Sequence, residues 1–342
     1  MRLSLHNLLG VTTQQRLGLA VVVATLVGWG IYLLLHLGRT GGEVGSEIEL
    51  APNRRPYLDD EAMEGARLNR VLLWSLALIG ITAIGLPLYW VKEPARQAGA
   101  VKGFDKRAAH RGSVLFQPTD SPLPEGNIGH FGCGKCHGTS GEGGSTDFVI
   151  TDYLGRSRKV TWTVPALDTV LKRFSDDEVK TIITYGRANT PMPAWGIAGG
   201  GPMNDQQITD LLAYVKSIQI SDDKAMARSL AEAKAEAQAE GKSPSDGGVL
   251  FNTNCARCHT KGWSYGDPEI AGSGAFGPNL THGDPIRQFP SLEDQLDFIM
   301  NGSDFGKAYG TRGVGTGRMP GFSRMLTPDQ ILAIVQYERS LP

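Results

Sequence analysis

The sequence predicts a mainly α-helical chain in which two N-terminal transmembrane helices precede two tandem helical domains of one design. Three observations predict it. Two long apolar runs lie within the first ninety residues, and the rest of the chain repeats one ordered set of residues. Each repeat is built around the same short motif, Cys133-Gly134-Lys135-Cys136-His137 and then Cys255-Ala256-Arg257-Cys258-His259. A length of 342 residues suits two or three domains. A formal net charge of −1 gives no support for a nucleic-acid partner.

The apolar runs come first. A bilayer crossing takes about 20 mostly apolar residues. Leu17 to about Leu35 carries no charge and has Trp29 and Tyr32 near its far end. Val71–Val91 is bounded by Arg70 and Lys92, with Tyr89 and Trp90 at its exit. Aromatic rings of this kind suit the membrane interface, where an apolar body meets a wet polar tip. The first run is too long for the apolar region of a signal peptide and no small-residue cleavage site follows it, so a retained helix is predicted. Helices at about 17–37 and 71–91 result, with Pro87 bending only the last turn of the second. The loop between them carries Arg39, Arg54, Arg55, Arg67 and Arg70, against Arg2 and Arg16 before the first helix. That favours a cytoplasmic loop. Lys92, Arg96, Lys102, Lys106, Arg107 and Arg111 after the second helix blur the rule.

Beyond the hairpin the chain repeats itself. Gly112-Ser113-Val114-Leu115-Phe116 precedes the first motif and Gly247-Gly248-Val249-Leu250-Phe251 the second. Past each motif come a proline and a leucine, Pro165 and Leu167, then Pro278 and Leu280. An amphipathic stretch ends at Gly186 in one copy and Gly302 in the other. Each copy then has a Met-Pro pair, Met192-Pro193 and Met319-Pro320, and closes on an amphipathic helix, Asn204–Ile218 or Thr327–Leu341. Tyr214 and Tyr337 hold the same place in both. Between the copies, Ala225–Glu240 is rich in helix formers but poor in large apolar side chains, so it reads as a solvated helical linker. The first copy adds a Pro/Gly-rich insert, Pro118–Gly132, and a candidate hairpin in Asp147–Val164. The second has a glycine-rich loop, Gly302–Gly317. These excursions read as surface contacts with no partner specified.

The motifs carry the chemistry. C-x-x-C-H is the sequence at which haem is attached through two thioethers, with the adjacent histidine placed to ligate iron. A zinc ribbon also pairs C-x-x-C units, but about 15–20 residues apart, far closer than Cys136 and Cys255. A redox dithiol would not recur with a histidine after each copy, and disulfides would leave both histidines unexplained. The chain has 4 cysteines, and the two motifs use them all.

The pattern resembles class I c-type cytochromes over about 103–342. The resemblance implies two covalent haem c groups, on Cys133 and Cys136 and on Cys255 and Cys258. It implies iron ligation by His137 with Met192 and by His259 with Met319, and carbonyls of Pro165 and Pro278 that accept from the histidines. Met203, Met300 and Met325 read as core residues, with Met325 the nearest rival to Met319. His130 and His282 read as loop histidines, and His6, His36 and His110 carry no ligand signal. The domains expected are a membrane anchor at 1–100, a first cytochrome domain at 101–220, a linker at 221–246 and a second cytochrome domain at 247–342.

Six-coordinate His/Met iron raises the potential and closes the site to substrate, which favours electron transfer over catalysis. The arrangement is similar to the di-haem subunits of cbb-type oxidases and of bacterial quinol–cytochrome bc complexes. It implies partners among bc-type or haem-copper oxidase subunits, membrane lipid, and a redox protein as donor or acceptor. Covalent haem attachment outside the bacterial cytoplasmic membrane implies that both domains lie on the outer face. The alternatives are a di-haem peroxidase, which needs an accessible iron, and an electron-relay subunit of a membrane dehydrogenase.

Overall fold

The computed structural model describes residues 13–36, 66–124, 129–151 and 154–342. The chain forms two compact units, Met1–Phe104 and Asp105–Pro342. The charged loop around Arg39, Arg54 and Arg55 lies outside the described residues, as do Arg2 and His6.

The first unit holds α1 (Thr13–His36) and most of α2 (Ala66–Phe116). Both helices are apolar and long enough to cross a bilayer, and Leu17, Leu26, Leu34, Leu72, Trp74 and Leu78 are exposed along them, which fits a membrane anchor. Small residues set their approach. Gly18 lies against Val91 and the Pro87 carbonyl, Gly80 against the Trp29 ring, and Gln15 Nε2 donates to the Val91 carbonyl at 3.2 Å. Gln15 and Gly18 thus meet Val91 while Trp29, later in α1, meets Gly80, earlier in α2, so the two helices run antiparallel.

Two expectations for this region need correction. α1 begins at Thr13 and not near Leu17. The second helix does not stop at Val91 but runs on to Phe116, with Pro87 and Pro94 both in its interior. The apolar run ends at Lys92, yet the Ala-, Lys-, Arg- and Gln-containing stretch after it favours helix as strongly as the membrane segment does. Each proline removes one backbone donor and crowds the carbonyl four residues back, yet the helix continues past both.

The second unit contains the repeated modules. In the first, the end of α2 leads to α3 (Cys133–His137), a hairpin of β1 (Gly144–Thr151) and β2 (Ser157–Val164), then α4 (Asp176–Tyr185) and α5 (Asp205–Ser217). After α6 (Asp222–Glu240), the second module has α7 (Gly247–Asn254), α8 (Ala256–His259), α9 (Asp284–Gln288) and α10 (Leu292–Asn301). A two-stranded ribbon of β3 (Ala308–Tyr309) and β4 (Gly313–Val314) then precedes α11 (Pro328–Ser340). Capping boxes at Ser175, Asn204 and Thr327 start α4, α5 and α11 by satisfying orphan backbone donors.

Both cores are organised by the same crossing. A Cβ on Gly112 would overlap the Asp210 carbonyl, and one on Gly247 would overlap that of Ala333. The missing side chains let the first and last helices of each module touch backbone to backbone. Beside the glycines, Phe116 and Tyr214 rings lie 5.0 Å apart and Phe251 and Tyr337 rings 5.4 Å apart, both pairs inclined at 51°.

The segment α6 is not a solvated linker, which is a third correction. Ala225, Ser229, Ala233 and Ala237 are buried along one stripe, and Ala233 and Ala237 join the core formed by Val249, Leu250 and Phe251. Alanine contributes little apolar area, so the pattern reads as polar. Its small size is what permits a close helix contact. On its other side, Arg228 of α6 forms a bidentate pair with Asp168 of the first module, at 2.6 and 2.8 Å.

The β1–β2 hairpin also has a definite partner. Trp162 is buried, meets Phe148 of its own ribbon edge to face at 5.6 Å, and reaches Tyr265 at 5.7 Å and Phe276 at 6.3 Å in the second module. Arg158 pairs with Asp267 at 2.7 Å. The excursion of the first module therefore makes a contact with the second.

Candidate haem sites

The two motif histidines are held in the same way. The first turn after Gly132 carries His137, and α8 carries His259. His137 Nδ1–H donates to the Pro165 carbonyl and His259 Nδ1–H to the Pro278 carbonyl, each at 3.0 Å. A proton fixed on Nδ1 leaves the Nε2 lone pair free for a metal. Burial lowers the pKa of both imidazoles, the carbonyl contacts working against it, so both are neutral near pH 7. A neutral ring is the form that ligates.

The cysteines beside them do not form disulfides. Burial pushes the Cys133 thiol up to about 12 and raises that of Cys255 as well. Neither has the depressed pKa of a reactive dithiol. Among the described residues no three His, Cys, Asp or Glu side chains converge as a metal cage.

Each Met-Pro strand is pressed against the glycine that ends the helix before it. Gly186 has φ 70° and ψ −166°, and Gly302 has φ 77° and ψ −166°. That region is essentially restricted to glycine. A Cβ at Gly186 would lie 2.8 Å from the Met192 carbonyl oxygen, and one at Gly302 would lie 2.6 Å from that of Met319. Arg187 N–H donates to the Met192 carbonyl at 3.0 Å and Ser303 N–H to the Met319 carbonyl at 2.9 Å. Met192 and Met319 are half-buried. Met203 is fully buried in the core of the first module, Met325 is buried, and Met300 packs on the core of the second. His130 binds the Val114 carbonyl in the insert, and His282 occupies a turn at φ 59°.

Residues 110–219 match the family model for cytochrome c, and residues 242–337 match that for cytochrome c oxidase, cbb3-type, subunit III. The chain is a c-type cytochrome with two tandem domains. No curated protein and no solved structure matches it. The two domains fit two covalently bound haem c groups, and the protein is an electron-transfer haem protein with two apolar helices suited to anchoring it.

One feature of this cytochrome tests the fit of such a group beyond the motifs. Arg173 Nε is buried with no hydrogen-bond partner. Burial lowers the Arg173 pKa to about 10, with Arg257 adding to the effect. Arg187 and Arg257, both half-buried, have their pKa lowered by burial too. Among the described residues Glu232 is the one carboxylate whose charge acts on Arg173 and Arg257. A buried guanidinium in excess of its anions is costly, and a haem carries two carboxylates. The donor set and the cation excess both suit it.

Sequence reasoning missed these arginines. Arg257 stands at a variable position of the second motif, where any residue is allowed, and Arg173 and Arg187 belong to no motif. What joins them is the seam between modules. Arg257 Nη1 donates to the Thr163 carbonyl at 3.1 Å, two residues before the Pro165 carbonyl that holds His137, and its guanidinium lies 5.2 Å from the Trp263 ring centroid.

Proposed function

We propose that this chain is a membrane-anchored di-haem relay that passes single electrons to or from an oxidase-type respiratory complex on the outer face of the bacterial cytoplasmic membrane. The observation that carries the reading is the seam. His137, the Pro165 carbonyl, the Thr163 carbonyl and Arg257 form a short bonded and hydrogen-bonded chain from one motif to the other. The match of 242–337 to a subunit of a cbb3-type oxidase supports the choice of complex.

In this reading Cys133 and Cys136 anchor one haem and Cys255 and Cys258 the other. His137 and Met192 ligate the first iron, and His259 and Met319 the second. The haem supplies a one-electron couple whose potential is raised by the soft thioether sulfur. The protein's own part is to keep both imidazoles neutral and oriented, to stiffen each methionine strand with a proline and a glycine contact, and to hold the modules in one register.

The test is spectroscopic and functional. The oxidised protein should show the weak far-red band of Met-ligated iron, and Met192→His or Met319→His should each lower one potential and leave the other nearly fixed. Reduced protein should be reoxidised in native membranes containing a cbb-type oxidase. Stoichiometric carbon monoxide binding with rapid peroxide turnover would instead promote a di-haem peroxidase. Protease added to intact spheroplasts should cut at the exposed turn Gly241–Ser243 after α6, and protection of that segment, where detergent-solubilised protein is cut, would place the domains on the wrong face.

A further inference from the structure

A buried carboxyl separates the two modules. Glu338 on α11 is 5 % exposed, and its Oε2 accepts from Nε2 of Gln295 on α10, itself 2 % exposed, at 2.9 Å. Counting from Gly186 and Gly302 on one helix, and from Tyr214 and Tyr337 on the other, the same two places in the first module are Val179 and Val215. Both valines are buried, at 5 % and 2 %. One scaffold thus carries an apolar pair in the first module and an ionisable, hydrogen-bonded pair in the second.

The surroundings of Glu338 supply no compensating cation. From α7 and its end, Cys255 is the titratable group that feels the Glu338 charge, and the interaction raises the Cys255 pKa. From α10 only Gln295 reaches it, since Glu293, Asp294 and Asp297 are exposed. On α9, Asp284 and Arg287 pair with each other. On its own helix, Asp329 is exposed. Arg339 turns its guanidinium to the Phe289 carbonyl at 2.9 Å and to Gln295 Oε1 at 3.1 Å. Cys255, the attachment point of the second haem in this reading, packs in the same core as Ile334 and Val335 of α11.

We propose that Glu338 is a proton-binding site linked to the redox state of the second module and that the first module has no counterpart. When the second module takes one electron from its donor, the local positive charge falls by one and a solvent proton binds the Glu338 carboxylate. On oxidation both leave. Burial pushes the Glu338 carboxyl up to about 7, partly offset by the Gln295 hydrogen bond, which places the exchange near neutral pH. The inference rests on a haem in the second module and not on any choice of respiratory partner.

Spectroelectrochemical titration of the full-length holoprotein in detergent, from pH 5.5 to 8.5, tests it. Met192→His as a background moves the first wave away and assigns the two. The potential of the second module should fall as pH rises, at a slope approaching about 59 mV per pH unit for one proton per electron, while the first stays flat. Glu338→Gln should remove the slope and hold the potential near its low-pH value. Gln295→Leu, which removes a hydrogen bond to the charged form, should move the sloping window to higher pH. A wild-type second wave that is flat across this range, or a slope that survives Glu338→Gln, overturns the proposal. Both results are read without an oxidase, so they leave the relay reading unaffected.

Discussion

The first and second modules share what holds a haem-sized group and differ in what surrounds it. Common to both are the glycine-on-carbonyl helix crossing, the histidine bound to a proline carbonyl at 3.0 Å, and the glycine pressed on the methionine strand. The first module adds a hairpin and an Arg111–Asp210 pair at 2.7 Å, where the second has Ala333 in place of Asp210. The second adds the Gln295–Glu338 pair and a ribbon in which Tyr309 stacks on Phe298 at 4.5 Å. Shared contacts are those that a covalently attached group needs. The differences lie at the seam and in the electrostatics, where two copies can be given different potentials and partners.

The comparison can be broken most completely at the attachment points. Cys133→Ser with Cys136→Ser should abolish one haem per chain and leave the other, and the matching pair at Cys255 and Cys258 should do the reverse. A pyridine haemochrome assay gives the ratio. Loss of both haems from either double variant would show that the modules do not load independently.

Next in size is the seam. Trp162 sits in the first module, is 7 % exposed and contacts the second through Tyr265 and Phe276. Trp162→Ala should cost about 3 kcal/mol and split a single calorimetric transition into two. A Leu154→Ala change at the exposed turn of the same hairpin should leave the transition intact.

A smaller effect is expected at the glycines that end α4 and α10. Gly186→Ala and Gly302→Ala force a non-glycine residue into a backbone region costing of order 1–3 kcal/mol and press a methyl group on the methionine strand. Each should weaken the far-red band of its own module only. Equal loss in both modules from one substitution would mean that the methionine strands are not independently positioned.

The last effect is a pH dependence. The Glu338 carboxyl rises from its ordinary 4.5 to about 7 in the fold, so the folded state binds the proton more tightly than the unfolded chain does. Stability of the second module should therefore be greatest below about 4.5, decline as pH rises towards 7, and level off above. Glu338→Gln should be more stable than wild type at pH 8, by at most about 3 kcal/mol, with the difference shrinking towards pH 4. Denaturant titration at the two pH values measures it.

Much of this was legible in the chain itself. The two motifs, the apolar runs, the repeat and the capping signals are local, because attachment chemistry, bilayer crossing and helix initiation depend on a few neighbouring residues. The hairpin around Gly155 was legible too, from β-prone runs on either side of a turn. Less legible was the length of α2, since apolar character stops at Lys92 while helix propensity does not. The stripe on α6 escaped for a related reason, because alanine is a helix former first and a core residue only when another helix comes close.

Sequence alone determined that the chain carries two copies of one covalent haem-attachment design behind apolar helices. It did so because cysteine, histidine, glycine and proline each impose chemistry or backbone geometry at the position they occupy. Tertiary structure alone decided that the hairpin of one module grips the other, that Arg173, Arg187 and Arg257 gather at the seam, and that Glu338 is buried beside Gln295. Those outcomes depend on which distant side chains share a low-dielectric interior. A charged residue in a sequence looks the same whether water or a protein core surrounds it.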